Sequence, residues 1–203
     1  MPILRSSLAG SVAALMLVPA LTFAQTAKKP APKPAAAAAK PAAAAGPQLI
    51  METVKGTITI VLFPDTAPKS VEHILKLVNT GFYRSQRVIR VVPGQIVQFG
   101  DKRSRDMTQR NVWGRGSEGG SGSMIGVAEI SPKHVHTLGA VGLAHAGDPK
   151  QTDSQMYITT SARPNLNGKY TVIGQVTSGI EVVKKLQEED EIKNITLKGA
   201  PAS

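Results

Sequence analysis

The sequence predicts a mainly β domain, an antiparallel barrel or sandwich, and three observations carry that prediction. Short alternating or β-branched runs recur at VKGTITIVLF, QRVIRVV, GQIVQFG, TLGAVGLAHA, SQMYITTS, KYTVIGQV and NITLKGA, each about the length of one strand. Two segments alone, PDTAPKSVEHILKLVNTGFY and GIEVVKKLQE, change to a helical period. Glycine and proline punctuate the intervals. A parallel sheet would need a helix between successive strands, so this pattern selects an antiparallel architecture.

Taken in order, Ile58, Ile60 and Leu62 alternate with Thr57, Thr59 and Val61 in the first run, as a strand requires. Val71, Ile74, Leu75 and Val78 then form one helical stripe, with Pro68 suited to the first turn and Gly81 to the stop. Pro93 and Gly94 make a tight connection between the next two strands. The oddity lies just before it. Alternation puts Arg90 on one face with Val88 and Val92, opposite Arg87, Ile89 and Val91. After the turn, Ile96, Gln98 and Gly100 oppose Gln95, Val97 and Phe99. Polar groups thus occupy faces that read as half buried, which fits a groove in which a cation has work to do. A long polar, glycine-rich stretch follows, and then the later strand runs, a second short helix at GIEVVKKLQE and a closing strand at NITLKGA.

The chain of 203 residues allows one domain with a full core and some remainder. Lys and Arg outnumber Asp and Glu by 24 to 14. Five of those cations, Arg5, Lys28, Lys29, Lys33 and Lys40, lie in residues 1–45, which hold no acid; the rest of the chain carries 19 against 14. That modest excess, with eight aromatic residues in all, argues against a nucleic-acid partner.

Residues 1–24, MPILRSSLAGSVAALMLVPALTFA, have a positive start at Arg5, an apolar stretch and small residues before Gln25. These are the parts of a cleavable export signal, and the stretch is barely long enough to span a bilayer. The expected location is periplasmic or secreted, with no stable membrane insertion after cleavage. The absence of cysteine excludes thiol catalysis and thiolate metal sites, and leaves packing to stabilise the fold in a compartment that permits disulfides. Residues 25–47 are almost wholly Ala, Pro and Lys, a solvated spacer without core-forming side chains. The folded domain is expected over 48–203.

Three motif matches carry little. GRGSEG, with Gly114, Gly116 and Gly119, fits a dinucleotide fingerprint but lacks the flanking strand and helix. His134 and His136 would share one strand face as a metal pair does, yet no third ligand stands nearby, so satisfied histidines are the better reading. Asn194 begins a glycosylation sequon that export from a bacterial-type cell would leave unused.

VKGTITIVLFPDTAPKSVEHILKLVNTGFY, VIRVVPGQIVQFGD, LGAVGLAHAG, DSQMYITTS and LNGKYTVIGQV together resemble, in order and spacing, the cyclophilin peptidyl-prolyl isomerases over residues 48–197. The resemblance implies a closed eight-stranded antiparallel barrel capped by two α-helices, a reaction that rotates X-Pro peptide bonds, and no cofactor. It implies Arg90 as the catalytic arginine and Gln98 as the glutamine that helps hold it. By the same resemblance Ile96, Tyr157 and Leu166 wall the proline pocket, Tyr170 flanks it, and Ala144, His145 and Gln155 bind substrate backbone. A guanidinium suits the role because it offers a fixed fork of donors and keeps its charge.

The chain also departs from the family's usual pattern. Gln95 stands where a phenylalanine of the pocket floor is common, which implies a wetter pocket, and Asn165 replaces a tryptophan or histidine linked to cyclosporin binding. Ile89 and Met156 replace a histidine and a phenylalanine. KRSRDMTQRNVWGRGSEGGSGS, with five bases and two acids, reads as an insertion-like loop near the groove, favouring acidic substrates or simply solvated. The expected partners are proline-containing segments of unfolded or folding exported proteins, met by a monomer. The competing reading is a module or chaperone on the same barrel that binds proline peptides without turnover.

Overall fold

A computed structural model of the protein describes residues 46–199. The expected export signal, most of the expected spacer and residues 200–203 lie outside the described residues. Pro47, at the end of the spacer, already accepts the amide of Leu62 through its carbonyl (2.9 Å).

The first apolar run folds as a hairpin, β1 (Gln48–Thr53) and β2 (Gly56–Leu62), paired from Gln48–Val61 to Thr53–Gly56. Helix α1 (Pro68–Asn79) buries Ser70, Val71, Ile74, Leu77 and Val78. Its core stripe is therefore turned toward Leu77, leaving Leu75 half-buried. The helix stops as Gly81 predicts: the amides of Gly81 and Phe82 donate to Val78 and Leu77 carbonyls (3.0 Å each), the paired bonds of a Schellman end.

The start of α1 is completed from far away. Ala67 at the cap position supplies no side-chain bond, and Glu129 instead accepts the amides of Lys69 (3.0 Å) and Ser70 (2.8 Å). A carboxylate at this end also meets the positive pole of the helix. Glu129→Ala is expected to cost about 1 kcal/mol of stability, the ordinary worth of a cap. Urea unfolding checks it: a midpoint unchanged from the parent would show that the bond contributes nothing.

Strands β3 (Gln86–Arg87), β4 (Arg90–Val92), β5 (Ile96–Phe99), β6 (Ala140–Leu143), β7 (Met156–Thr159), β8 (Val172–Ser178) and β9 (Glu191–Leu197) complete one antiparallel sheet in the order β3-β9-β1-β2-β8-β6-β7-β5-β4. Its first and last strands are consecutive in the chain. The amide of Val88 donates to Asp190 beside β9, and the next amide, Ile89, donates to Gln98 on β5 (2.9 Å each). One broken strand thus touches both edges of the sheet and curls it closed, and the nine strands become eight when β3 and β4 are counted together.

That break corrects the expected face pattern. Val88 is fully buried while Arg90 is exposed, so the two do not share a face; the change of partner between them rotates the chain. Inside the sheet, Leu49, Met51, Ile58, Ile60, Val97, Phe99 and Ile158 form one core with Ile74 of α1. The expected second helix is also shorter, a single turn α2 (Ile180–Val183). Leu186 is drawn into the core, and the amide of Glu189 is taken by the Val88 carbonyl (2.9 Å), so the chain joins the sheet edge before a second turn can form.

Candidate active site

The Pro93–Gly94 turn sets the site's register. Gln95 donates its amide to Val92 (2.9 Å) and Gly94 takes φ +68°, as the third position of a type II turn requires. Arg90 then opposes Gln98, Gln98 opposes Tyr157, and Tyr157 opposes Gly142. Directly opposed residues project to the same face, so one row crosses four strands on the outside of the sheet. Its neighbours Val97, Phe99, Met156 and Ile158 point into the core. Val92 and Ile96 form the next pair along the same face.

Arg90 is exposed, and among the described residues it has no ion-pair partner. Gln98 shares its row, but the side-chain bond of Gln98 runs to Gln155 Oε1 (2.9 Å). The Ala144 amide donates to the Gln155 carbonyl (2.9 Å), which ties the β6 and β7 segments together at this edge. Gln95 is half-buried at the turn, beside the row rather than in it.

Tyr157 is buried and lies over Gly142, where any Cβ would collide with the ring. Tyr170 meets it edge-on (5.8 Å, 88°) and is itself stacked on His145 (4.4 Å, 29°). His145 is fixed by two bonds: Nδ1 accepts the Gly147 amide (3.2 Å) and Nε2 contacts the Lys169 carbonyl (3.1 Å). Nε2 therefore carries the proton. Leu166 is half-buried and Asn165 exposed, in the short turn Pro164–Leu166. The structure thus places Arg90, Gln98 and Tyr157 in one row, bonds Gln98 to Gln155, and links Tyr170 and His145 through ring contacts. Ile96 belongs to the same outer face, while among the described residues no hydrogen bond or ring contact links the side chains of Asn165 or Leu166 to the row.

The 102–123 segment is mostly exposed to solvent, yet it is folded into short turns tied to the domain. Short turns at Lys102–Arg105 and Met107–Val112 follow Asp101, whose buried carboxylate accepts from Arg103 and Gly114, and a Cβ added at Gly114 would lie 3.3 Å from Ile89 and 3.9 Å from Gln155. Three of its five cations are engaged within the fold: Arg103 by Asp101 and Glu118, Arg105 by the Phe82 and Arg84 carbonyls, Arg110 by Glu188 and Glu189. GRGSEG is part of this segment and opens no helix. Asn194 is half-buried within β9.

His134 and His136 sit in no strand and do not form a metal pair. His134 stacks on Phe63 (3.7 Å), while His136 is buried with its Nε2 2.7 Å from the Tyr157 hydroxyl. Among the described residues no group of three or more His, Cys, Asp or Glu could hold a metal ion. His136 is the residue of the site that the sequence left unassigned. The available signal is Tyr157 between Met156 and Ile158, since a tyrosine hydroxyl needs a partner when buried.

The family model for cyclophilin-type peptidyl-prolyl cis-trans isomerases matches residues 48–200. The chain belongs to the cyclophilin family. It is 37% identical over 163 residues to a probable peptidyl-prolyl cis-trans isomerase of Brucella suis biovar 1, covering 79% of this chain and 83% of that protein. It is 37% identical over 143 residues to peptidyl-prolyl cis-trans isomerase B of Bacillus subtilis, covering 70% and 91%. Among solved structures, a cyclophilin-type isomerase of Cryptosporidium parvum superposes with a TM-score of 0.63 at 24% identity, over 76% of this chain and 99% of that one; it has also been crystallised in the presence of the dipeptide Ala-Pro. The cyclophilin fold and the peptidyl-prolyl isomerase class are thereby established for the described domain.

Proposed function

We propose that this cyclophilin rotates X-Pro bonds in exported chains that are unfolded or only partly folded, acting as a monomer with Arg90 donating to the imide nitrogen in the twisted state. One observation carries the assignment: an exposed guanidinium without an acid partner stands in the same row as Gln98 and the Tyr157 ring. Rotation about the bond costs about 18–20 kcal/mol because resonance is lost. As it is lost, the imide nitrogen gains a lone pair that a fixed donor can bind, while Ile96, Tyr157, Leu166 and Tyr170 supply walls for the proline ring. The Gln98–Gln155 pair and the Ala144 edge present groups for the peptide backbone. Rotation makes and breaks no covalent bond, so it calls for no cofactor.

Export is supported by the signal pattern of residues 1–24 and the Ala/Pro/Lys spacer, which would hold the domain away from a surface. Newly exported chains arrive with X-Pro bonds that exchange over tens of seconds or more unaided. Ala-Pro is the natural first probe. Exchange spectroscopy by NMR on an Ala-Pro peptide with the purified protein should show faster cis-trans interconversion at catalytic amounts. Binding without acceleration would make the protein a holding module, the outcome that a polar Gln95 at the pocket turn would favour.

A further inference from the structure

We propose that His136 is a positioning residue of this site: it anchors the Tyr157 hydroxyl inside the wall and so fixes the ring face that meets the substrate proline. The inference rests on the isomerase reading above and concerns a group to which that reading gives no task.

The geometry fixes the direction of every proton in the chain. The backbone amide and the Nδ1 of His136 both lie 2.9 Å from Asn167 Oδ1. An amide N–H can only donate, so the Asn167 atom is the acceptor oxygen and Nδ1 must carry the ring proton. A neutral imidazole protonated at Nδ1 leaves Nε2 as an acceptor. The Tyr157 hydroxyl, 2.7 Å away, therefore donates to it. His136 is 2% exposed, and burial, opposed by the Asn167 bond, holds its pKa below the ordinary histidine value, which keeps the acceptor free of a second proton.

Two constraints then act on the Tyr157 ring. Gly142 provides a floor without a side chain, and His136 holds the far end of the ring. Removing the second leaves a buried hydroxyl without its partner, at a cost of about 1–3 kcal/mol. The hydroxyl can recover a partner by swinging toward water in the groove, and the ring would go with it. A phenyl ring at position 157 has no such need. His136 should consequently matter for substrate binding only while residue 157 carries a hydroxyl, which a purely structural histidine would not do.

The test is a double-substitution cycle on the whole protein, reading the Kd of an Ala-Pro peptide by NMR titration and, separately, kcat and KM. His136→Leu should weaken binding about tenfold, with kcat falling no more than about twofold. His136→Gln, whose Oε1 can accept from Tyr157, should recover most of that loss. Beside Tyr157→Phe alone, adding His136→Leu should change Kd by less than about twofold. Equal losses in both backgrounds, or an unchanged Kd in folded His136→Leu, would overturn the proposal. If His136→Leu does not fold, the proposal expects the Tyr157→Phe double variant to fold and bind, and its failure to do so would count against it. A parent that binds the peptide without accelerating exchange would overturn the isomerase reading instead, and the Kd cycle would still decide the role of His136.

Discussion

Arg90→Ala is expected to lower kcat/KM for an Ala-Pro peptide by about a hundredfold or more while leaving the melting temperature within a degree or so of the parent. The separation of the two effects follows from the structure. Arg90 is exposed, starts β4 and makes no ion pair among the described residues, so its loss uncovers no buried charge. Its expected service is to the substrate, and one well-aimed donor accounts for about 3–4 kcal/mol of transition-state stabilisation. A millionfold acceleration needs about 8 kcal/mol, so the remainder is expected from positioning and water exclusion in the proposed proline pocket. Arg90→Lys keeps the charge without the planar fork and should retain only part of the rate. Peptide exchange rates for the three proteins check this, and a parental rate in Arg90→Ala would remove the arginine from the mechanism.

The parts of this site legible in the sequence are those governed by local rules. Pro93 and Gly94 specify the turn, the turn specifies which residues of β4 and β5 oppose one another, and the row of Arg90 and Gln98 follows. Tyr157 falls into that row through the pairing of β7 with β5, a long-range choice that SQMYITTS does not mark. What the sequence hides are decisions made by distant partners. Val88 turns inward because β9 and β5 claim adjacent amides, and nothing in QRVIRVV marks the boundary. Glu129 caps a helix some 60 residues earlier in the chain. α2 ends early because the sheet edge takes Glu189. His136 was readable as a satisfied histidine, but the identity of its partner depends on how β7 passes the 136–139 segment. The gap is therefore one of tertiary selection acting on ambiguous local choices.

The largest loss of stability is expected from Asp101→Asn. Its two oxygens accept four donors: Oδ1 takes the amide and Nε of Arg103 (2.9 and 3.1 Å), and Oδ2 takes Nη2 of Arg103 and the amide of Gly114 (2.8 and 2.7 Å). The carboxylate is fully buried, with Gly119 packed against it. Asparagine fills the same space but presents an NH2 to two of those donors, and it leaves the guanidinium of Arg103 only the exposed carboxylate of Glu118 as a counter-charge. Breaking one side of a buried pair costs about 3 kcal/mol or more, which for a domain of this size is a fall of about 10 °C in Tm. The only tryptophan reports the event locally: Trp113 is buried in this segment and donates to the Arg103 carbonyl (3.0 Å), so its emission should move to the red before far-UV circular dichroism changes. Acid should act in the same sense. Burial, the largest single influence on Asp101, pushes its pKa up, yet the bonds from Arg103 and Gly114 together hold it below 3.8. A depressed carboxyl lends stability that is present above the unfolded value and lost as pH falls through the folded one. Asp153 is depressed as well: burial pushes it upward most strongly, but the bonds from His73, Ser121 and Gly122 prevail. The parent's Trp113 signal should therefore hold until below about pH 4 and then shift. Asp101→Asn should begin from the shifted emission and show a shallower acid response; a parental signal in that variant would mean that the 102–123 segment is held in place without the carboxylate.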